Sequence, residues 1–224
     1  GNSINLINMA ITYDNSSKSD YAVSSWRTYA HTIAGTNKLL IVWVWNDSTW
    51  DKITWITYNG VSLTRINWWA TWDQYTSMWY LINPADWANN IVISSSVSCW
   101  INSMAGSYNW VIQSSPIDTS VFEAIDTSVV ATTTKSITVW VDNCWVIGGI
   151  HQNWNVISIN SGATNRISGA WPYNMFVDSN SSLSTGSYSM SFNAATHAGG
   201  YTTYNLVSIK PYISSTFIPR VIFM

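Results

Sequence analysis

The sequence predicts an all-β chain, an antiparallel two-sheet β-sandwich of jelly-roll type. Three observations carry this. Apolar residues alternate with polar ones, or run for four to eight residues between turn signals. The turns recur about every ten residues, the spacing of a sandwich or barrel. Helical periodicity is hard to find, and the polar load falls on Ser, Thr and Asn, which suit turns and solvent-facing strand positions better than helices. At 224 residues the chain fits one sandwich domain over 1–212, large enough to bury most of its apolar surface. Residues 213–224, "ISSTFIPRVIFM", follow the last expected strand as a C-terminal tail or the start of a linker.

Strands are expected at 26–33 (WRTYAHTI), 38–45 (KLLIVWVW), 52–58, 61–66, 75–82 (YTSMWYLI), 89–95, 101–109, 135–141, 144–151, 187–193 and 203–210. The first alternates through Tyr29, His31 and Ile33, which makes His31 a strand side chain with a local partner. The second is an unbroken apolar run and reads as a central strand packed on both faces. Turn signals separate the rest: Gly35-Thr36-Asn37, Asn59-Gly60, Asn83-Pro84, Ser115-Pro116, Ser161-Gly162 and Gly199-Gly200. Residues 153–184 are polar and irregular, so long loops are expected there.

Asn59-Gly60 is the clearest local signal, because a type I′ hairpin needs positive φ at both central residues. Its register would set Tyr58 against Val61, Ile56 against Leu63 and Thr54 against Arg65 on the core face. Trp55 then lies outward among Thr57, Ser62 and Thr64. It is either an indole platform or a tryptophan standing where a small residue would fit better.

Charged residues are 9% of the chain and the net charge is −2, too few for the Lys/Arg patch of a nucleic-acid binder. No apolar stretch reaches the ~18 residues of a membrane span, and "GNSINLINMA" lacks the basic start of a signal peptide. Cys99 and Cys144 would form a disulfide if their strands were neighbours. Glu123 with Asp118 and Asp126 could serve as a glycosidase acid pair, though solvated acids beside a crossover explain them as well. Asp47 and Asp51 bracket a turn, where they either cap it or hold a structural Ca2+ with backbone carbonyls. Among His31, His151 and His197 no spacing gives a metal or catalytic set, and no catalytic motif is present. Neither catalytic residues nor metal ligands are therefore assigned, and no cofactor is expected beyond that Ca2+.

The best ligand candidate is the aromatic cluster Trp68, Trp69, Trp72 and Tyr75, with Asn67, Asp73 and Gln74 as hydrogen-bonding groups. Indoles stack on the C–H faces of sugars while amides and carboxylates bond the hydroxyls. The cluster falls between the hairpin and the next strand and is expected in a loop.

The succession "AHTIAGTNKLLIVWVW", "ITWITYNGVSLT", "SMWYLINPADWANNIVIS", "SMAGSYNWVIQSSPID", "CWVIGG" and "YNLVSIKP" resembles a β-sandwich domain of bacterial surface proteins and of phage or phage-like structural proteins. The likeness spans roughly residues 24–212, and the hairpin with "MWYLINP" is its most specific part. It implies a jelly-roll or concanavalin-like sandwich without catalytic residues, and carbohydrate binding or adhesion as its role. One departure stands out. Where such domains have Gly or another small residue, this chain has Trp at 43, 55, 87, 100 and 110. Sixteen Trp is far above normal usage, and eleven Gly in 224 residues falls below the usual ~7%. UGA codons read as glycine by the source organism, but translated as tryptophan, would produce this pattern. Trp79 and Trp145 match bulky core positions instead.

The expected function is a non-catalytic surface or virion module for adhesion or assembly, extracellular, with a glycan as candidate ligand. A homo-oligomer or neighbouring modules of a surface assembly are the candidate protein partners. The alternatives are a glycan hydrolase or lyase on a concanavalin-like fold, and a purely structural subunit.

Overall fold

The computed structural model describes residues 3–48, 50–70, 74–127, 131–152, 156–169, 173–194, 196 and 200–218. All of its regular elements are β-strands, and every pairing is antiparallel. The first nine are β1 (Ser3–Asn8), β2 (Thr12–Lys18), β3 (Ala22–Ile33), β4 (Leu39–Asn46), β5 (Ile53–Tyr58), β6 (Val61–Ser62), β7 (Thr64–Ala70), β8 (Tyr75–Ile82) and β9 (Trp87–Asn109). The others are β10 (Ile117–Asp126), β11 (Thr132–Val139), β12 (Trp145–Gln152), β13 (Ile157–Ser161), β14 (Thr164–Ser168), β15 (Tyr173–Asp178), β16 (Gly186–Ala194), β17 (Tyr201–Ile209) and β18 (Ile213–Ile218).

The 23-residue β9 organises the N-terminal half. Its first part pairs with β3 on one side and β5 on the other; its second part pairs with β2 and β4. β8 and β7 continue the sheet beyond β4. The two leaves face each other across a core of Ile33, Leu40, Val42, Val44, Ile56, Tyr58, Ile91 and Ile93. The C-terminal half has a five-stranded sheet, β10-β17-β12-β15-β14, covered by a three-stranded one, β11-β16-β13. Between these lie Ile137, Val139, Val146, Ile150, Met190, Phe192 and Leu206. A third core joins the halves: Leu39, Ile41, Trp43 and Trp45 of β4 meet Trp145, Ile147, Phe176 and Val207.

Period two explains why β4 tolerates no polar side before its end. Residues 39, 41, 43 and 45 serve the joining core, residues 40, 42 and 44 the leaf core, and the whole strand is buried. The run reads as a strand packed on both faces, and that is its place. The number of layers exceeds the two expected: two leaves of one bent sheet, then two further sheets. Nothing in a local alternation distinguishes one core from three.

The joining interface is also polar. Arg166 grips the buried Asp178 with Nε at 2.7 Å and Nη2 at 2.9 Å. Tyr108 of β9 donates to the same carboxylate at 3.1 Å, and the guanidinium lies 4.1 Å over the Tyr13 ring of β2. Strands β14 and β15 are thereby fastened to the N-terminal half.

Several expectations are corrected. Segments 89–95 and 101–109 form one strand, because β9 changes partners without breaking. Segment 61–66 divides at Leu63: Val61 and Ser62 pair back onto β5, the Leu63 amide donates to the Ile56 carbonyl at 2.9 Å, and β7 then leaves to pair with β8. The stretch 153–184 holds β13, β14 and β15, where Arg166, Asn174 and Asp178 are placed by protein partners while Ser158 and Asn165 face solvent. The tail stands apart from these corrections: its residues 213–218 pair with 3–8 of the same chain as a two-stranded ribbon, and 219–224 lie outside the described residues. Five of the six expected turns hold: Gly35, Asn37, Asn59, Gly60, Asn83, Ser115 and Gly162 all have positive φ, while Gly199 of the sixth lies outside the described residues.

Candidate functional site

The hairpin builds one side of the outer face. Asn59 and Gly60 have φ of 49° and 77°, as a type I′ turn requires, and Trp55 points outward, 37% exposed. Its neighbours come from β9 and β3. The register of β5 on β9 slips between Ile53 and Trp55, and that of β3 on β9 slips between Ser24 and Trp26. Both irregularities resume opposite one residue, so Trp26 and Trp55 flank Ser94 from either side. Bulges of this kind re-aim side chains beside functional sites. The two indoles meet edge to face at 5.0 Å and 83°, and Trp26 is 50% exposed. Trp26 Nε1 donates to Thr28 Oγ1 at 3.1 Å, which fixes its ring.

Two residues further along the same face, Val92 opens a groove of about 350 Å³ lined by Asn59, Gly60, Ala88, Asn89, Asn90 and Val92. None of these residues is charged. Asn89 is held by a 2.9 Å bond from Nδ2 to the Asp86 carbonyl. The arrangement offers apolar ring surface beside neutral amides and hydroxyls. It suits a ligand with C–H faces and many hydroxyls and gives no charge to attract an anion.

The cluster singled out in the sequence is divided. Residues 68 and 69 lie in β7, not in a loop, so successive side chains take opposite faces. Trp68 is exposed and stacks on Tyr75 at 5.8 Å and 20°. Trp69 turns the other way, against Phe122 at 5.4 Å. Tyr75 and Gln74 are buried. Asn67 is buried too, donating to the Leu206 carbonyl at 3.4 Å and accepting from Asn205 at 3.2 Å. Trp72 and Asp73 lie outside the described residues. Thus Trp68 and Tyr75 come together, while Trp69, Gln74 and Asn67 face elsewhere or inward. Trp26 escaped notice because its partner depends on two register slips that alternation does not reveal.

The acids singled out have protein partners. Glu123 pairs with Lys135 at 2.6 Å, Asp118 accepts from the Trp140 amide at 2.9 Å, Asp47 accepts from the Trp100 amide at 2.9 Å, and Asp51 pairs with Arg65. Among the described residues no three His, Cys, Asp or Glu side chains gather as a metal site. His31 is buried between Ser17 (2.8 Å at Nδ1) and Ser107 (3.2 Å at Nε2), and burial lowers its pKa to about 4. His151 contacts Asn174 at 2.6 Å, and its pKa is lowered to about 3 by burial. His197 lies outside the described residues. Cys99, in β9, and Cys144, which forms an isolated bridge to Leu183 just before β12, are both free thiols.

No family model matches this chain, and neither does any curated protein. Among solved structures, the ANX2 ectodomain from Arabidopsis thaliana aligns over 90% of this chain and 90% of its own at 7% identity and a TM-score of 0.27. The ANXUR2 extracellular domain from the same plant aligns over 92% of this chain and 89% of its own, at 9% identity and 0.27. Likeness at that TM-score carries no argument about this chain.

Proposed function

We propose that the chain is a non-catalytic extracellular binding module, of a cell surface or virion, that holds a neutral glycan on the outer face of β3, β9 and β5. The observation that carries this is the Trp26–Trp55 pair flanking Ser94 beside an uncharged asparagine-lined groove. Sugar rings stack on the half-exposed indoles, and Asn59, Asn89 and Asn90 serve the hydroxyls. Non-catalysis is supported by the commitment of Glu123 to Lys135. Assembly with other copies or modules is the second reading, favoured by the terminal ribbon, where Ile7 and Ile213 are 44% and 42% exposed.

A glycan array probed with the purified chain tests the first reading. Binding that falls about ten-fold in Trp26→Ala and in Asn90→Ala, a loss of ~1.4 kcal/mol, supports it. Binding lost instead in Trp68→Ala would move the site to the Trp68–Tyr75 stack. Binding to no glycan would leave assembly, which sedimentation of the chain with and without residues 213–224 would then address.

A further inference from the structure

We infer that positions 87 and 110 are glycine in the protein as its source organism makes it. Among the described residues, eight non-glycine positions have left-handed φ. Five are Asn and one is Ser, types whose short polar side chains tolerate that conformation. The other two are Trp87, at φ 71°, and Trp110, at φ 59°. A bulky residue there sets Cβ against the neighbouring carbonyl, and glycine is the usual occupant.

The backbone at both positions is fixed by pairing rather than free to relax. Trp87 opens β9 opposite Ile33, and its carbonyl accepts from Tyr58 Oη at 3.0 Å. The Trp110 amide donates to the Thr36 carbonyl at 3.0 Å, and its carbonyl accepts from the Tyr212 amide at 2.7 Å. The Trp87 side chain, 79% exposed, returns little packing for that strain. Both positions belong to the five where Trp replaces an expected small residue. At Trp43, Trp55 and Trp100 the φ is not left-handed; these indoles meet Gly149, Trp26 and Tyr21, and the backbone does not distinguish the residue there.

A consequence for the binding face rests on the glycan reading above. Trp87 lines a recess of about 190 Å³ with Ile33, Ala34, Gly35 and Asp86, while its neighbour Ala88 lines the larger groove. Glycine at 87 removes the indole from that recess and leaves it wider beside Gly35.

Sequencing the gene and weighing the natively made chain test the inference. UGA codons at 87 and 110, with a mass lowered by one Trp-to-Gly difference for each, are expected; UGG at both would overturn it. Stability gives an independent test on the chain as written. Trp87→Gly and Trp110→Gly should each raise Tm by about 2–4 °C, whereas Trp79→Gly, in the core, should lower it. A lowered Tm in the first two would contradict the inference. Glycan binding lost in Trp87→Gly but kept in Trp26→Ala would make Trp87 a ligand contact; it would sink both readings. Binding lost only in Trp26→Ala leaves both standing.

Discussion

Gly149 shows how closely single residues are matched in the joining core. A Cβ built on it would lie 2.0 Å from Trp43 Cδ1. The Trp43 indole in turn donates to Asn205 Oδ1 at 3.0 Å, so the ring has little room to move. Gly149→Ala is therefore expected to cost ~1–3 kcal/mol, read as a lower denaturation midpoint in urea. Trp43→Gly empties a fully buried indole's space and should cost about 3–5 kcal/mol by itself; combined with Gly149→Ala the two losses should be less than additive, since the two residues share one space. A Gly149→Ala variant as stable as the parent would show that the contact is not as close as described. At this scale the sequence was partly legible. Asn59-Gly60 announced its own φ values, and Trp55 its outward face, because both are local properties. The pairing of Trp26 with Trp55 was hidden, since it arises from two slips against a third strand.

Among elements, β14 and β15 depend on one carboxylate. Asp178 is fully buried and takes two bonds from Arg166 and one from Tyr108. Asp178→Ala strands a guanidinium that is 14% exposed, and a loss of ~3–5 kcal/mol is expected from chemical denaturation. Replacing both partners with apolar residues of similar size should recover much of it; a double loss equal to the sum of the two single losses would deny the coupling. These strands were unreadable beforehand for the same reason. Their sequences, "TNRIS" and "YNMFVD", hide buried polar groups whose partners lie far along the chain. The apolar strands β4, β8 and β12 were legible because burial alone defines them.

For the molecule as a whole, pH reports on the two buried histidines. Burial, the larger effect, lowers the His31 pKa to about 4 although Asp14 pulls it upward, and burial brings His151 to about 3. Unfolded, each would titrate near 6.5. As pH falls below that value the unfolded chain takes up protons that the folded one refuses. Stability is thus fully present above pH 6.5 and declines toward pH 4. With both groups engaged the slope approaches about 2.7 kcal/mol per pH unit. Urea midpoints that do not change between pH 7.5 and 4.5 would contradict the burial of these rings. The all-β class was legible in the alternation, but the count of layers was not: β4 and β12 read the same whether the sheets beyond them number one or two.

We propose the outer face of β3, β9 and β5 as the recognition surface. An NMR titration of the chain with the oligosaccharide selected on the array tests it most directly, through the indole N–H signals. The signals of Trp26 and Trp55 are expected to shift while that of Trp68 stays in place; a shift of Trp68 with Trp26 and Trp55 unmoved would contradict this assignment.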